Sequence, residues 1–395
     1  MSHEYPPFIY GGIGTFAYNL AKGLSKINLK VTVISGYPTS NMLCTPHPRK
    51  HLLEDENSVK VLRFPYPNVP PRHTMFQLSN FKQLSKIINE INPDVIHGQS
   101  GSTFPLLTFL GNTYPLVVTF HTSLMAQRTL SAYSLLRGGS WRDFLTYVIG
   151  YPAWLLTFKK ELERSRLAVS VSKNLKLDLL SELGEAYDEK IHIIHNGIDI
   201  ESLDKAYRKE TTLETNNNEI LFAGRLFWGK GALTIIKLAH LIQKNNLNFK
   251  IVIHGEGPLL KKLKFAVYAY KLTNIELKGF ANKAQLIRSI KLCKYVLIPS
   301  FYEACPMILL ESMCLGKVPV MFNLPYAREF TENGEYGILA KNVEDMVLKI
   351  KTIAKQNLLE HLGQKIQSYA RKKYDINEIA KKYSQLYKLA CDLYV

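Results

Sequence analysis

No two of the five cysteines (Cys44, Cys293, Cys305, Cys314 and Cys391) stand at C-x-x-C spacing. With an odd count, that lack argues against a disulfide framework or a zinc site, and a reducing compartment is the simpler setting. Also missing is an apolar run long enough to cross a bilayer, which takes roughly 20 residues. The nearest approach, Phe144 to Phe158, contains Gly150 and Pro152 and is too short. It reads as a buried or half-buried helix, ahead of a shallow membrane contact flanked by Arg142, Lys159 and Lys160. The N-terminus shows no secretory apolar region. No G-x-G-x-x-G turn follows a first strand, so the fingerprint of a nicotinamide dehydrogenase is not met. Acids are scarce: Asp and Glu number 33 against 50 Lys and Arg, giving a formal net charge of +17. Such an excess favours anionic partners, whether nucleotides, nucleic acid or acidic lipid. The 22 tyrosines and 18 phenylalanines form no stacking platform for single-stranded nucleic acid, so no nucleic-acid partner is expected.

What is present is a globular composition, 46% apolar and 21% charged, in a chain of 395 residues that suits two cores better than one. Short β-branched runs alternate with helical patterns. Strands are expected at Val31–Ser35, Val59–Phe64, Asp94–His97, Leu116–Phe120, Leu167–Val171 and Ile191–Ile194, with helices at Gln83–Ile91 and Lys173–Leu183. A polar stretch over 201–218 reads as a linker. A second series follows, with strands at Glu219–Ala223, Phe249–His254, Ile275–Leu277, Tyr295–Pro299, Val318–Phe322 and Tyr336–Leu339. Its helices fit at Ala232–Lys244, Leu259–Tyr270, Met307–Cys314 and Val343–Lys355. The tail, Asn377–Leu393, places Ile379, Tyr383, Leu386, Ala390 and Leu393 on one helical stripe. This rhythm implies an α/β chain of two Rossmann-like, doubly wound domains facing each other across a cleft. Their bounds are 1–200 and 201–376, with 377–395 packing back toward the first.

Three stretches bear on chemistry. Gly11-Gly12-Ile13-Gly14-Thr15 opens a helix, where backbone amides approach an anion closely, although glycines before a helix are more often just a tight turn. Gly224-Arg225, with Lys230-Gly231 five residues on, sets two cations between a strand and a helix; this suits a diphosphate leaving group or, equally, two solvated cations. The strongest is Pro299-Ser300-Phe301-Tyr302-Glu303-Ala304-Cys305-Pro306-Met307-Ile308-Leu309-Leu310-Glu311. A strand ends, a loop carries Glu303, Pro306 starts a helix, and Glu311 lies on that helix among apolar neighbours, where an acid needs partners. The basic runs Lys261-Lys262-Leu263-Lys264 and Arg371-Lys372-Lys373 read as solvated faces that also favour an anionic membrane.

The last of the three stretches resembles the E-x7-E signature of retaining GT-B glycosyltransferases, family 4 in particular. Further pieces resemble that family in order: Tyr5-Pro6-Pro7 with Gly11-Gly12-Ile13-Gly14, Thr119-Phe120-His121-Thr122, Val171-Ser172, Asn196-Gly197-Ile198-Asp199, Gly224-Arg225 with Lys230-Gly231, and Gly255-Glu256-Gly257-Pro258. The resemblance implies a retaining hexosyltransferase that passes sugar from a UDP- or GDP-linked donor to a glycan or lipid-linked acceptor. In it Arg225 and Lys230 hold the donor diphosphate, Glu303 meets donor-sugar hydroxyls, Glu311 meets the ribose, and His121 lies near the reacting sugar. Gly12 and Gly14 approach the phosphates or the acceptor, and Gly224, Cys305, Pro306, Met307 and Ile308 complete the donor grip. No cofactor or metal is expected, because no two aspartates stand two residues apart as in the D-x-D signature and two cations neutralise the leaving charge instead. A cytoplasmic location follows, at most peripheral to the inner membrane face. The alternatives are a silent nucleotide-sugar-binding partner subunit and a GT-B phosphorylase or epimerase.

Three departures stand out. Family members begin with an apolar strand before the Tyr-Pro-Pro segment, whereas only Met1-Ser2-His3 precede Glu4 here, which implies a gap in the first sheet or residues upstream. Cys305-Pro306 replace a common Phe-Gly pair, and Pro306 removes a backbone donor. His195 stands where proline often precedes Asn-Gly.

Overall fold

A computed structural model describes residues 1–9, 11–39, 52–56, 59–67, 72–101, 103, 113–137, 139–210, 218–355 and 358–393. Cys44 and most of the expected linker, 211–217, lie outside these. In chain order the elements begin with α1 (Gly12–Lys26), β1 (Val31–Thr39), β2 (Leu52–Glu56), β3 (Val59–Pro67), α2 (Arg72–Ile91), β4 (Ile96–Gln99) and β5 (Leu116–Phe120). Next come α3 (Leu124–Leu136), α4 (Tyr151–Arg164), β6 (Leu167–Ser170), α5 (Lys173–Leu183), β7 (Ile191–Ile193) and α6 (Ile200–Lys209). Then follow β8 (Glu219–Ala223), α7 (Ala232–Lys244), β9 (Lys250–His254), α8 (Leu260–Ala269), β10 (Ile275–Gly279), α9 (Lys283–Leu292) and β11 (Tyr295–Ile298). The series closes with α10 (Met307–Cys314), β12 (Val318–Phe322), α11 (Pro325–Phe330), β13 (Ile338–Ala340), α12 (Val343–Lys355), α13 (Leu359–Tyr374) and α14 (Ile376–Asp392).

The chain divides into two compact units: 1–127, 145–199 and 376–395 form the first; 128–144 and 200–375 form the second. The sequence grouped 1–200 together, but 128–144 belongs with the second unit, where Tyr133 packs at a tilt against Trp228 (ring centroids 5.5 Å apart) and Asp143 pairs with Arg225. The expected linker is also helical at its start. The apolar side of α6 buries Leu203, and Asp204 forms a two-pronged ion pair with Arg371 of α13.

In the first unit, four strands lie parallel in the order β4-β5-β6-β7. Every residue of β5 is buried, and all but Thr119 are apolar, as in strands covered on both faces. A separate sheet, β1-β3-β2, pairs β1 parallel to β3 and adds β2 antiparallel at its edge. Between β1 and β4 lies a cavity of about 610 Å³, lined by Leu20 and Leu24 of α1, Val31 and Val33 of β1, Ile96 of β4 and Tyr387 of α14. The first two residues bridge it: the Met1 ammonium donates to His97 O, and Ser2 N donates to Ile34 O.

The tail stripe explains α14. Ile376, Ile379, Ala380, Tyr383, Leu386, Tyr387 and Ala390 recur at helical spacing and join Phe16, Leu20 and Leu24 of α1 with Val117 and Val169 in one core. The Asn196-Gly197-Ile198-Asp199 segment fastens this helix pair. Asn19 donates to Gly197 O, Lys22 pairs with Asp199 at 2.5 Å, and Ile376 N donates to Ile198 O. A Cβ on Gly197 would fall 2.5 Å from Ile376 Cδ1, which accounts for the glycine. The Phe144–Phe158 stretch is half-buried, with Trp154 and Phe158 inside and Leu145, Ile149 and Leu156 outside.

The second unit holds a six-stranded parallel sheet in the order β10-β9-β8-β11-β12-β13. The chain lays down β8, β9 and β10 outward in one direction, then returns to place β11, β12 and β13 on the other side. Order therefore reverses between β8 and β11. Loops leaving two such adjacent strands in opposite directions open a crevice at their carboxyl ends, where α/β sheets bind ligands.

Candidate active site

Both loops that leave the β8/β11 switch point carry residues the sequence singled out. After β8 the chain runs through Gly224, Arg225 and the single helical turn Trp228–Lys230; after β11 it runs through Pro299, Ser300 and Glu303 to α10. The loops are stitched together, since Phe301 N donates to Gly229 O at 2.9 Å. Gly231, at φ +69°, lies so close that a Cβ would fall 2.1 Å from Pro299 O, so both its angle and its lack of side chain are used.

Lys230 Nζ donates to Glu303 Oε1, and Ser300 Oγ donates to the same oxygen at 2.6 Å. Tyr326 OH donates to Ser300 O at 2.8 Å, which fixes the serine. Burial, and then the Glu303 charge, push the Tyr326 phenol well above its ordinary value, so it stays a neutral donor. Glu303 is 9% exposed and the Lys230 side chain 32%, so a cation faces solvent while its acid is held from behind. Pro306 caps α10, whose first residues Met307 and Ile308 present helix-end amides. Cys305 is a buried cysteine, not in a disulfide, in that turn.

Arg225 does not join this pair. Its Nη2 lies 2.6 Å from Asp143 Oδ2, its guanidinium carbon is 5.3 Å from the Phe227 ring centroid, and the side chain is half exposed. Glu311 is buried on α10 and pairs with Lys283 at the start of α9. Gly224 N donates to His254 O, and Gly255, at φ +149°, lets the Gly255-Glu256-Gly257-Pro258 turn lie directly on the Gly224 carbonyl.

In the first unit, Glu4 caps α1: its Oε2 accepts from Gly11 N at 3.1 Å, and a Cβ on Gly14 would sit 3.0 Å from the Glu4 Cβ. Gly12 is exposed at the first turn of that helix. His121, at the end of β5, packs edge-on against Phe16 of α1 (5.0 Å), so it and the glycine-led helix come together. Its Nε2 lies 2.6 Å from Gln99 Oε1, which fixes the proton on that nitrogen and leaves Nδ1 as acceptor. Burial pulls His121 down to about 3, against an upward pull from Glu4, so the ring is neutral. His97 joins the same half-buried network through Tyr387, Thr119 and Gln99.

Sequence reasoning assigned no role to Ser300, Tyr326, Lys283, Asp143, Glu4 or Gln99. Ser300 and Gln99 sit at strand ends beside residues it did choose. Lys283 and Asp143 act across 28 and 82 residues of chain, and no local pattern announces them.

Comparison with known proteins shows the family and the fold. The model for glycosyltransferase family 4 matches residues 10–202, and that for glycosyl transferases group 1 matches 204–373. An uncharacterized glycosyltransferase, MJ1607, of Methanocaldococcus jannaschii is 25% identical, covering 99% of this chain and 97% of its own. The UDP-Gal:alpha-D-GlcNAc-diphosphoundecaprenol alpha-1,3-galactosyltransferase of Escherichia coli is 32% identical over 34% of this chain and 37% of its own. Among solved structures, sucrose-phosphate synthase from Thermosynechococcus elongatus superposes with a TM-score of 0.77 at 15% identity, covering 96% of this chain and 93% of that one. With two α/β units, the E-x7-E loop at the switch point and both family models in sequence, this chain is an enzyme of glycosyltransferase family 4 with the GT-B fold.

Proposed function

We propose that the protein transfers a hexose-type sugar from a UDP- or GDP-linked donor to a glycan or lipid-linked acceptor, with retention at the anomeric carbon and without a metal ion. The observation that carries this reading is the Lys230–Glu303 pair, held by Ser300 at the carboxyl ends of β8 and β11. In the proposed reaction the bond from the anomeric carbon to the phosphate oxygen breaks, and its electron pair leaves on the nucleoside diphosphate. Lys230, the α10 amides and Arg225, once it leaves Asp143, offset that charge. Glu303 accepts from donor-sugar hydroxyls and Glu311 from the ribose. The acceptor oxygen attacks on the side the phosphate leaves, and its proton passes to the departing phosphate oxygen. Neutral His121, with Nδ1 an acceptor, orients a sugar hydroxyl without adding charge. The acceptor class is supported by the Escherichia coli relative, whose name records a diphosphoundecaprenol-linked substrate and a UDP-galactose donor. We place the reaction in the cytoplasm, where free thiols such as Cys293 and Cys314 persist.

The test is a donor panel of UDP- and GDP-sugars in the presence of EDTA, followed by release of nucleoside diphosphate and by NMR of the product anomer. Slow donor hydrolysis without acceptor, undiminished by EDTA, supports the reading. Binding without turnover for every donor, unaffected by Glu303→Ala, would identify a silent partner subunit instead.

A further inference from the structure

One exposed face of the second unit has no part in the chemistry above. On α8, Lys261, Lys264, Phe265 and Tyr268 fall at i, i+3, i+4 and i+7 and share one side of the helix. Leu263 is the residue this helix buries in the unit. Phe265 is 72% exposed and Tyr268 84%, an unusual outlay of aromatic surface in water. A second exposed stretch adjoins the first. Lys262 Nζ donates to Arg137 O at 2.7 Å, next to Leu136 (81% exposed) and a few residues before Trp141 (61%). The Arg137 guanidinium lies 4.9 Å from the Trp228 ring, two residues before Lys230, so this face runs up to the donor-side loop.

Charge sets the kind of partner. Residues 128–142 and 257–275 contain Arg and Lys but not one Asp or Glu. Long cations interleaved with Phe, Tyr, Trp and Leu match the headgroup zone of a bilayer, where aromatic rings sit at the boundary and cations meet anionic lipid. Among the described residues no helix is long and apolar enough to span a membrane, so the association is along a surface.

We propose that the α8 face, with the adjoining Leu136, Trp141 and Arg142 side chains, docks the second unit onto an anionic lipid bilayer. Phe265, Tyr268, Leu136 and Trp141 enter the headgroup layer, while Lys261, Lys264 and Arg142 pair with lipid phosphates. The proposal concerns this surface alone and stands whether or not the proposed donor and acceptor are correct.

Co-sedimentation of the full chain with vesicles tests it. The protein should partition onto phosphatidylglycerol–phosphatidylcholine vesicles and hardly at all onto pure phosphatidylcholine, and added salt should release it. Lys261→Glu with Lys264→Glu should lower partitioning at least about tenfold, since each basic side chain near such a surface contributes roughly a fivefold factor. Phe265→Ser with Tyr268→Ser should lower it comparably at low salt. All four positions are exposed, so melting curves should match the parent, and release of nucleoside diphosphate from soluble donor serves as an independent check on the active site. Absence of vesicle binding by the parent, equal binding to neutral vesicles, or unchanged binding in both double variants would each overturn the proposal. So would protection of Phe265 and Tyr268 by a soluble protein or nucleic acid in place of lipid.

Discussion

Lys230→Ala removes the cation held over Glu303 while sparing the serine that anchors the acid. In the structure Lys230 is one-third exposed and reaches Glu303 from the solvent side; Ser300 holds the same carboxylate from within, backed by Tyr326. Loss of the amine therefore leaves Glu303 with a donor, and the stability cost is that of a partly exposed pair, about 1 kcal/mol. For a unit of this size that is a melting shift of about 2–4 °C. The rate should suffer far more. A preorganised contact to developing negative charge is worth about 3 kcal/mol of barrier, so kcat should fall by roughly 10²-fold or more at saturating donor. The assay pairs initial rates of nucleoside diphosphate release with thermal melts on the same preparations, and Lys230→Arg serves as the charge-keeping control. A fall in kcat smaller than about threefold, or a melting loss matching the rate loss, would refute the placement of Lys230 on the leaving group.

Two other outcomes are expected. Because burial holds His121 at about 3, the folded protein keeps it neutral while the unfolded chain takes up a proton below the ordinary value of 6.5. Its contribution is thus fully present above pH 6.5 and is lost as pH falls toward 3. Urea melts of the parent should lose up to about 1.4 kcal/mol more per pH unit in that window than His121→Gln, and parallel curves would show the ring to be solvated. Gly197→Ala forces a Cβ against Ile376 at the start of α14 and should cost about 1–3 kcal/mol, read as a lower melting temperature; an unchanged melt would show that the α1–α14 seam yields freely.

Much of the architecture could be read in advance because it is written locally. Leu116–Phe120, Glu219–Ala223 and Val318–Phe322 are strands with the bounds their apolar runs suggest, and Lys173–Leu183, Ala232–Lys244 and Met307–Cys314 are helices with theirs. The proline and glycines flanking Glu303 and Lys230 likewise marked loops correctly. What escaped is held by distant partners. The polar start of the expected linker became α6 because Arg371, far along the chain, pairs with Asp204. The grouping of 128–144 with the second unit rests on Asp143 meeting Arg225 and Tyr133 meeting Trp228. Arg225 and Lys230, neighbours in sequence and one cationic pair by inference, are drawn to different acids. The antiparallel β2 lies in an acidic stretch whose pattern suggests no strand.

The α14 seam also has a bearing on how the chain is made. Residues 200–375 emerge from the ribosome as one continuous stretch that closes its own sheet, whereas the earlier-born part must wait for α14 to cover Phe16, Leu20 and Leu24. Birth order and completion order are therefore reversed. During translation the nascent N-terminal half is left with an uncovered greasy flank, and stalling or nicking near residue 376 would strand it as a chaperone client although the later-made half had already matured.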